Sequence, residues 1–166
     1  MLEDFSCTRE PFIENFVRKS CYQSEKMRSS KSYFILDEDE KDYLRALGFY
    51  SLALKAFYIS EGMSNKKKKK LGVKDNQAHI ATYYIGLLAK NENYSEEIEG
   101  KLILDSAMGK IAKAMRHVGG KVTWVEAKKK NQKVIEFYIN NGFQEFQTEQ
   151  QEDGEHSHLA KIIEPE

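Results

Sequence analysis

Tyr138 stands in a short amphipathic stretch, Asn131 to Asn140, that runs into Asn141-Gly142-Phe143. A phenol with an ordinary pKa near 10 can hand a proton to a departing anion, while Phe137-Tyr138 at helical spacing can equally pack a core; the residues alone leave both open. Glu126 closes the β-prone run just before it and reads either as a base or as an ordinary strand-end carboxylate. Of the four histidines, His79 opens a strand-like run and would serve as a base only if it points into a cleft. His117, near the end of a helical pattern, suits the negative end of a helix dipole. His156 and His158 alternate on one face of a turn or edge strand, with no cysteine nearby and only scattered acids, so no metal is expected.

The densest local charge is Lys66, Lys67, Lys68, Lys69 and Lys70. Such a run can contact nucleic-acid phosphates, dock an acidic partner protein, or simply be solvated. The whole chain does not decide among these, since 26 basic residues balance 26 acidic ones and no global field draws it to RNA.

The elements that must position these residues follow from the pattern. At 166 residues, 40% hydrophobic and 31% charged, the chain is expected to form a single domain over residues 1–166 with a real core. Cys7 and Cys21 are expected as buried small hydrophobes in a reducing, cytoplasmic setting. No apolar run approaches membrane-spanning length, and Met1-Leu2-Glu3-Asp4 lacks the features of a signal peptide.

Phe12, Ile13, Phe16, Val17 and Cys21 predict an amphipathic helix, and Ser32 to Leu36 a strand closed by an Asp37-to-Glu40 turn. A longer strand is expected from Asp42 to Tyr58, with a bulge at Gly48, followed by a lysine-rich excursion over residues 60–78 that has room for a short helix. His79 to Ala89 reads as a central strand buried on both faces. Apolar residues from Leu102 to Val118 predict a long helix stopped by Gly119-Gly120. Then come a strand at Val122 to Ala127, the helix bearing Tyr138, a strand at Phe143 to Thr148, an acidic turn at Glu149 to Glu155, and a closing strand at His158 to Ile163. The apolar last strand and the aromatic strand from Asp42 permit a symmetric homodimer.

This order, with Asn131, Phe137-Tyr138 and the Gly142-Phe143 exit, resembles the GNAT (general N-acetyltransferase) superfamily. Phe5-Ser6-Cys7, Tyr33-Phe34-Ile35 and Gly48-Phe49-Tyr50-Ser51-Leu52 are similar to its toxin branch, whose members acetylate aminoacyl-tRNA and pair with small antitoxin proteins. The resemblance implies an α/β (α+β) fold: a mixed, mainly antiparallel central sheet flanked by helices, with a V-shaped splay between central strands. It implies acetyl-CoA as cofactor and a primary amine as acceptor, that of an aminoacyl-tRNA or of a protein. Tyr138 then takes the place of the tyrosine that protonates the CoA sulfur, Glu126 lies near the acceptor, Asn131 matches a residue that binds the cofactor arm, and Leu87, Leu88 and Ala89 form the edge that receives it, Leu88 N–H facing the oxyanion.

Leu88-Ala89-Lys90-Asn91, Tyr94 and Gly100 match the family's cofactor signature, but Asn93, Ser95, Glu96 and Ile98 depart from it. The missing glycines would keep side chains clear of main-chain amides that cradle a diphosphate at the helix start, around Ser95, Gly100 and Lys101. Glu96, Glu97 and Glu99 bring carboxylates there instead, so affinity for CoA is expected to suffer. Alternatively, Ser95 caps the helix and the acidic residues serve its first turn, leaving a GNAT-like binding module without activity. A small-molecule acetyltransferase is a third reading, against which the lysine run argues.

Overall fold

The computed structural model describes residues 2–37, 43–74 and 76–164. Its strands are β1 (Lys31–Asp37), β2 (Arg45–Tyr58), β3 (His79–Lys90), β4 (Val122–Lys128), β5 (Gln144–Gln151) and β6 (Gly154–Ile162). Its helices are α1 (Pro11–Asn15), α2 (Cys21–Lys26), α3 (Asn65–Leu71), α4 (Gly100–Val118) and α5 (Gln132–Asn140). The strands form one sheet in the order β1-β2-β3-β4-β6-β5. β1–β2, β4–β6 and β5–β6 pair antiparallel, and β3–β4 in parallel. That last pairing is registered only at Tyr83↔Thr123 and Tyr84↔Trp124, although β3 runs on to Lys90 and β4 to Lys128. Among the described residues, no helix is long and apolar enough to cross a membrane.

The chain divides into two compact units. One comprises the chain up to Ala53 together with Ile85–Lys110; the other comprises Leu54–Tyr84 and the chain from Ile111 onward. In the first, Phe49 is fully buried and packs against the rings of Phe5, Phe16 and Phe34 at 6.2, 6.1 and 5.1 Å. The register of β1 on β2 slips between Ile35 and Leu36, leaving Leu47 as the extra residue beside Gly48, where a bulge was expected. Gly48 itself is required by a close approach: a Cβ there would lie 2.6 Å from Ile103 Cδ1.

The N-terminal helix is interrupted. A π-helical turn over Phe16–Ser20 separates α1 from α2, with Cys21 N–H reaching back to Phe16 O. Val17 and Cys21 are buried, whereas Phe12, in the first turn, stays 68% exposed and drops out of the expected apolar stripe. Cys7 and Cys21 are buried free thiols, and burial raises the pKa of each. Asn91, fully buried at the end of β3, fastens the N-terminal segment: its side-chain oxygen accepts from Ser6 N–H, and its amide donates to Ala46 O and Asp4 O.

The second unit is built on Phe57, Met63, Leu71, Ile80, Val122, Trp124, Phe146 and Ala160. β5 and β6 form a tight hairpin in which Gln151 pairs with Gly154, and Gly154 has φ +123°. This corrects the expected seven-residue acidic turn: most of those residues lie on the ends of the two strands, and only Glu152 and Asp153 turn. Gly119 and Gly120 (φ +77° and +89°) end α4 as expected. Of the expected core positions on α5, Ile135 and Tyr138 are buried, while Ile139 is 48% exposed. The expected turn residues Glu38, Asp39 and Glu40, and the expected strand start at Asp42, lie outside the described residues.

Candidate functional site

The second unit gathers its ionisable groups around Glu126, a half-buried carboxylate at the end of β4. The β4–β6 register sets Glu126 opposite His158 and Lys128 opposite His156. His158 Nε2 lies 3.1 Å from Glu126 Oε2 and 3.4 Å from Glu149 Oε2; His156 Nδ1 lies 3.3 Å from Glu126 Oε1, and its Nε2 2.7 Å from Asp153 Oδ1. The hydrogen bond from His158, outweighing burial, holds the Glu126 carboxyl below its ordinary 4.5, and the Lys55 charge adds to it.

Gln147 fixes the tautomer of His158. Its Oε1 accepts from Ser60 N–H at 3.0 Å and its Nε2 donates to Tyr58 O at 2.7 Å, which determines the amide orientation. The remaining amide hydrogen points at His158 Nδ1, 3.1 Å away, so Nδ1 accepts and the ring proton sits on Nε2, facing the carboxylates. Glu126, Glu149 and His158 are close enough to suggest a metal set, but a protonated Nε2 has no lone pair to offer an ion.

Tyr138 is buried on α5, 7% exposed. Burial, and secondarily the Tyr84 hydroxyl, raises its pKa well above the usual phenol value, so it stays protonated at neutral pH. Tyr84 is raised likewise, by burial and then by the Glu126 charge. Asn131 precedes α5 without a side-chain capping bond; its main-chain oxygen serves the helix instead, accepting from Val134 and Ile135 N–H. His79 is exposed and its ring lies 5.5 Å from that of Tyr58; His117 is in the last turn of α4.

The lysine run is helical. Ser64 caps α3 by accepting from Lys67 N–H, and Gly72 closes it in the left-handed conformation. Lys67 donates to Phe146 O at 2.8 Å and Lys70 to Gln144 Oε1 at 2.7 Å, which ties two of the five ammonium groups to the protein itself. Lys66 and Lys69 are exposed and Lys68 half-buried.

In the first unit, Leu87, Leu88 and Ala89 end β3, and a 3-10 turn at Glu92–Tyr94 leads to α4 at Gly100. Ser95 is the C-cap of that turn rather than the N-cap of α4, and the first turn of α4 carries no acidic residue. The self-capping reading is thereby corrected: four residues separate Ser95 from Gly100, too many for its hydroxyl to reach the helix amides as an N-cap does. Glu97 is held by Arg45 through contacts of 3.2 and 3.0 Å. Arg45 also pairs with Asp37 and lies 4.8 Å over the Tyr94 ring. Lys90 Nζ donates to Ser95 O at 2.9 Å. Ile98 is buried and faces Gly48. Lys101 pairs with Asp105 at 2.5 Å, while Glu96 and Glu99 remain exposed.

Arg45 and Gln147 were missed in the sequence, because each acts on residues far away along the chain. The loop presents a helix N-terminus, and one of the three carboxylates there is drawn to Arg45, which it shares with Asp37.

The fold is shared with solved structures that include toxins. A structure described as a bacterial toxin shares it at TM-score 0.76 and 15% identity, over 98% of this chain and 83% of that one. AtaT complexed with acetyl-methionyl-tRNAfMet matches at TM-score 0.72 and 22% identity, over 95% and 86%. A Tyr-to-Phe mutant of the AtaT toxin, bound to the C-terminus of the antitoxin AtaR and acetyl-CoA, matches at TM-score 0.70 and 19% identity, over 97% and 84%. No protein-family model matches the chain, and no curated protein matches it in sequence.

Proposed function

We propose that this protein is an acetyl-CoA-dependent N-acetyltransferase whose acceptor is the amino group of an aminoacyl-tRNA. The likeness over 95% of the chain to the AtaT complex with acetyl-methionyl-tRNAfMet carries the reading; the local chemistry is consistent with it. Acetyl-CoA, when bound, supplies the activated acetyl group. The main chain of Leu87, Leu88 and Ala89 would hold its arm, with Leu88 N–H as the oxyanion donor, and Ser95 and the amides of Gly100 and Lys101 at the head of α4 would take its diphosphate. Tyr94 supports that loop by bracing Arg45, which restrains Glu97. Asn131, whose amide is not spent on capping, is assigned to the cofactor arm.

Tyr138 is assigned the proton that a departing thiolate requires; its hydroxyl is protonated at neutral pH, and burial makes it a weaker acid than a free phenol. Glu126 faces the acceptor as an anion. Its lowered pKa suits it to attracting the ammonium, whose proton is lost to water before the free amine attacks. Exposed residues of the Lys66–Lys70 run would meet tRNA phosphates. A small antitoxin protein is the proposed regulatory partner, as AtaR is for AtaT.

Incubation with isotopically labelled acetyl-CoA and charged tRNA, followed by mass analysis of the released aminoacyl group, tests the proposal. Acetylated amino acid is the expected product. Its absence in the presence of intact charged tRNA and bound acetyl-CoA would rule out this acceptor.

A further inference from the structure

The aromatic wall beside Glu126 already holds a cation, and that cation belongs to the chain. Lys55 Nζ lies 4.4 Å from the centre of the Tyr84 ring and 5.1 Å from that of Trp124, within the range where a ring face attracts an ammonium. Trp124 is 3% exposed and cannot turn freely: its indole N–H donates to Thr82 Oγ1 at 2.9 Å, and Thr82 donates in turn to the main-chain oxygen of Lys55. Phe57 and His158 close its other sides, at 5.1 and 4.9 Å between ring centres. The Lys55 charge is one of those that lower the pKa of Glu126, whose carboxylate lies 3.1 Å from the His158 ring that packs on Trp124. Two aromatic faces and a fixed anion make a receptor for a positive nitrogen.

We infer that Tyr84, Trp124 and Glu126 form a seat for a primary ammonium group, which Lys55 occupies in the free protein and vacates for an incoming amine. Lys55 is exposed on β2, so its side chain can swing into water without disturbing the core. The seat beneath it is rigid, because Thr82 locks the indole and His158 anchors the carboxylate. The attraction that Lys55 gives up is small for an exposed cation, which makes the exchange reversible and makes Lys55 a competitor of the ligand. That the entrant is the acceptor amine rests on the transferase reading; the seat itself does not.

Trp124 is the sole tryptophan of the chain, so its fluorescence reports occupancy directly. Titration with n-butylammonium, with n-butanol as the neutral control, should perturb the emission saturably for the cation alone. Lys55→Met should bind butylammonium about two- to five-fold more tightly than the unaltered protein, and Glu126→Gln more weakly. Equal responses to butanol and butylammonium, or equal affinity with and without Lys55, would overturn the inference. Acetylation of charged tRNA together with no ammonium response would sink the seat and leave the transferase standing. An ammonium response without acetyl transfer would support the seat while removing the proposed acceptor chemistry.

Discussion

Glu126 owes its low pKa first to His158, and the sign of that shift makes its contribution testable. A carboxyl whose folded-state pKa lies below its unfolded value stabilises the fold fully above that unfolded value, here 4.5, and loses the contribution as pH falls through the lower folded value. Glu126→Gln should therefore cost about 1–3 kcal/mol at neutral pH. In urea melts followed across pH, that difference should shrink below about pH 4.5; a gap that stays constant there would assign the cost to packing alone. Tyr138→Phe separates catalysis from stability. It removes a proton donor while keeping the buried ring, so the acetyl-transfer rate at saturating cofactor should fall by about 10- to 100-fold with the melting midpoint little changed. An unchanged rate would take Tyr138 out of the reaction.

At the level of elements, Gly48 and Ile103 set how closely β2 and α4 approach. Gly48→Ala would place a methyl group 2.6 Å from a fully buried isoleucine end, and should cost about 1–3 kcal/mol in chemical denaturation. No measurable change would mean that Ile103 has room to move. The element order, α4 with its double-glycine stop, and Tyr138 on α5 were legible in the sequence because hydrophobic period and turn residues are local signals. The π-helical turn at Phe16–Ser20 and the two-residue β5–β6 turn were not, although Asp153-Gly154 is a local hairpin signal for the latter. The same holds for the site. Glu126 and Tyr138 could be singled out by type and position, but nothing local tells that Gln147 sets the His158 tautomer, that Lys55 covers Trp124, or that Arg45 draws Glu97 aside.

For the whole molecule, zero net charge leaves RNA affinity to local patches, and within α3 only part of the lysine run is available. Lys67 and Lys70 hold the protein to itself, so replacing Lys66, Lys68 and Lys69 with alanine should weaken tRNA binding while leaving stability unchanged. The slope of log affinity against log salt should become shallower by about 2–3. An identical slope would show that the run is solvated. At the head of α4, where Glu97 is held by Arg45 and the first turn has no acidic residue, the main-chain amides are proposed to receive the cofactor diphosphate. Isothermal titration with acetyl-CoA is the direct measurement. Saturable one-to-one binding that tightens when Glu96 and Glu99 are both replaced by glutamine is the predicted result, and no heat of binding in either protein would contradict it.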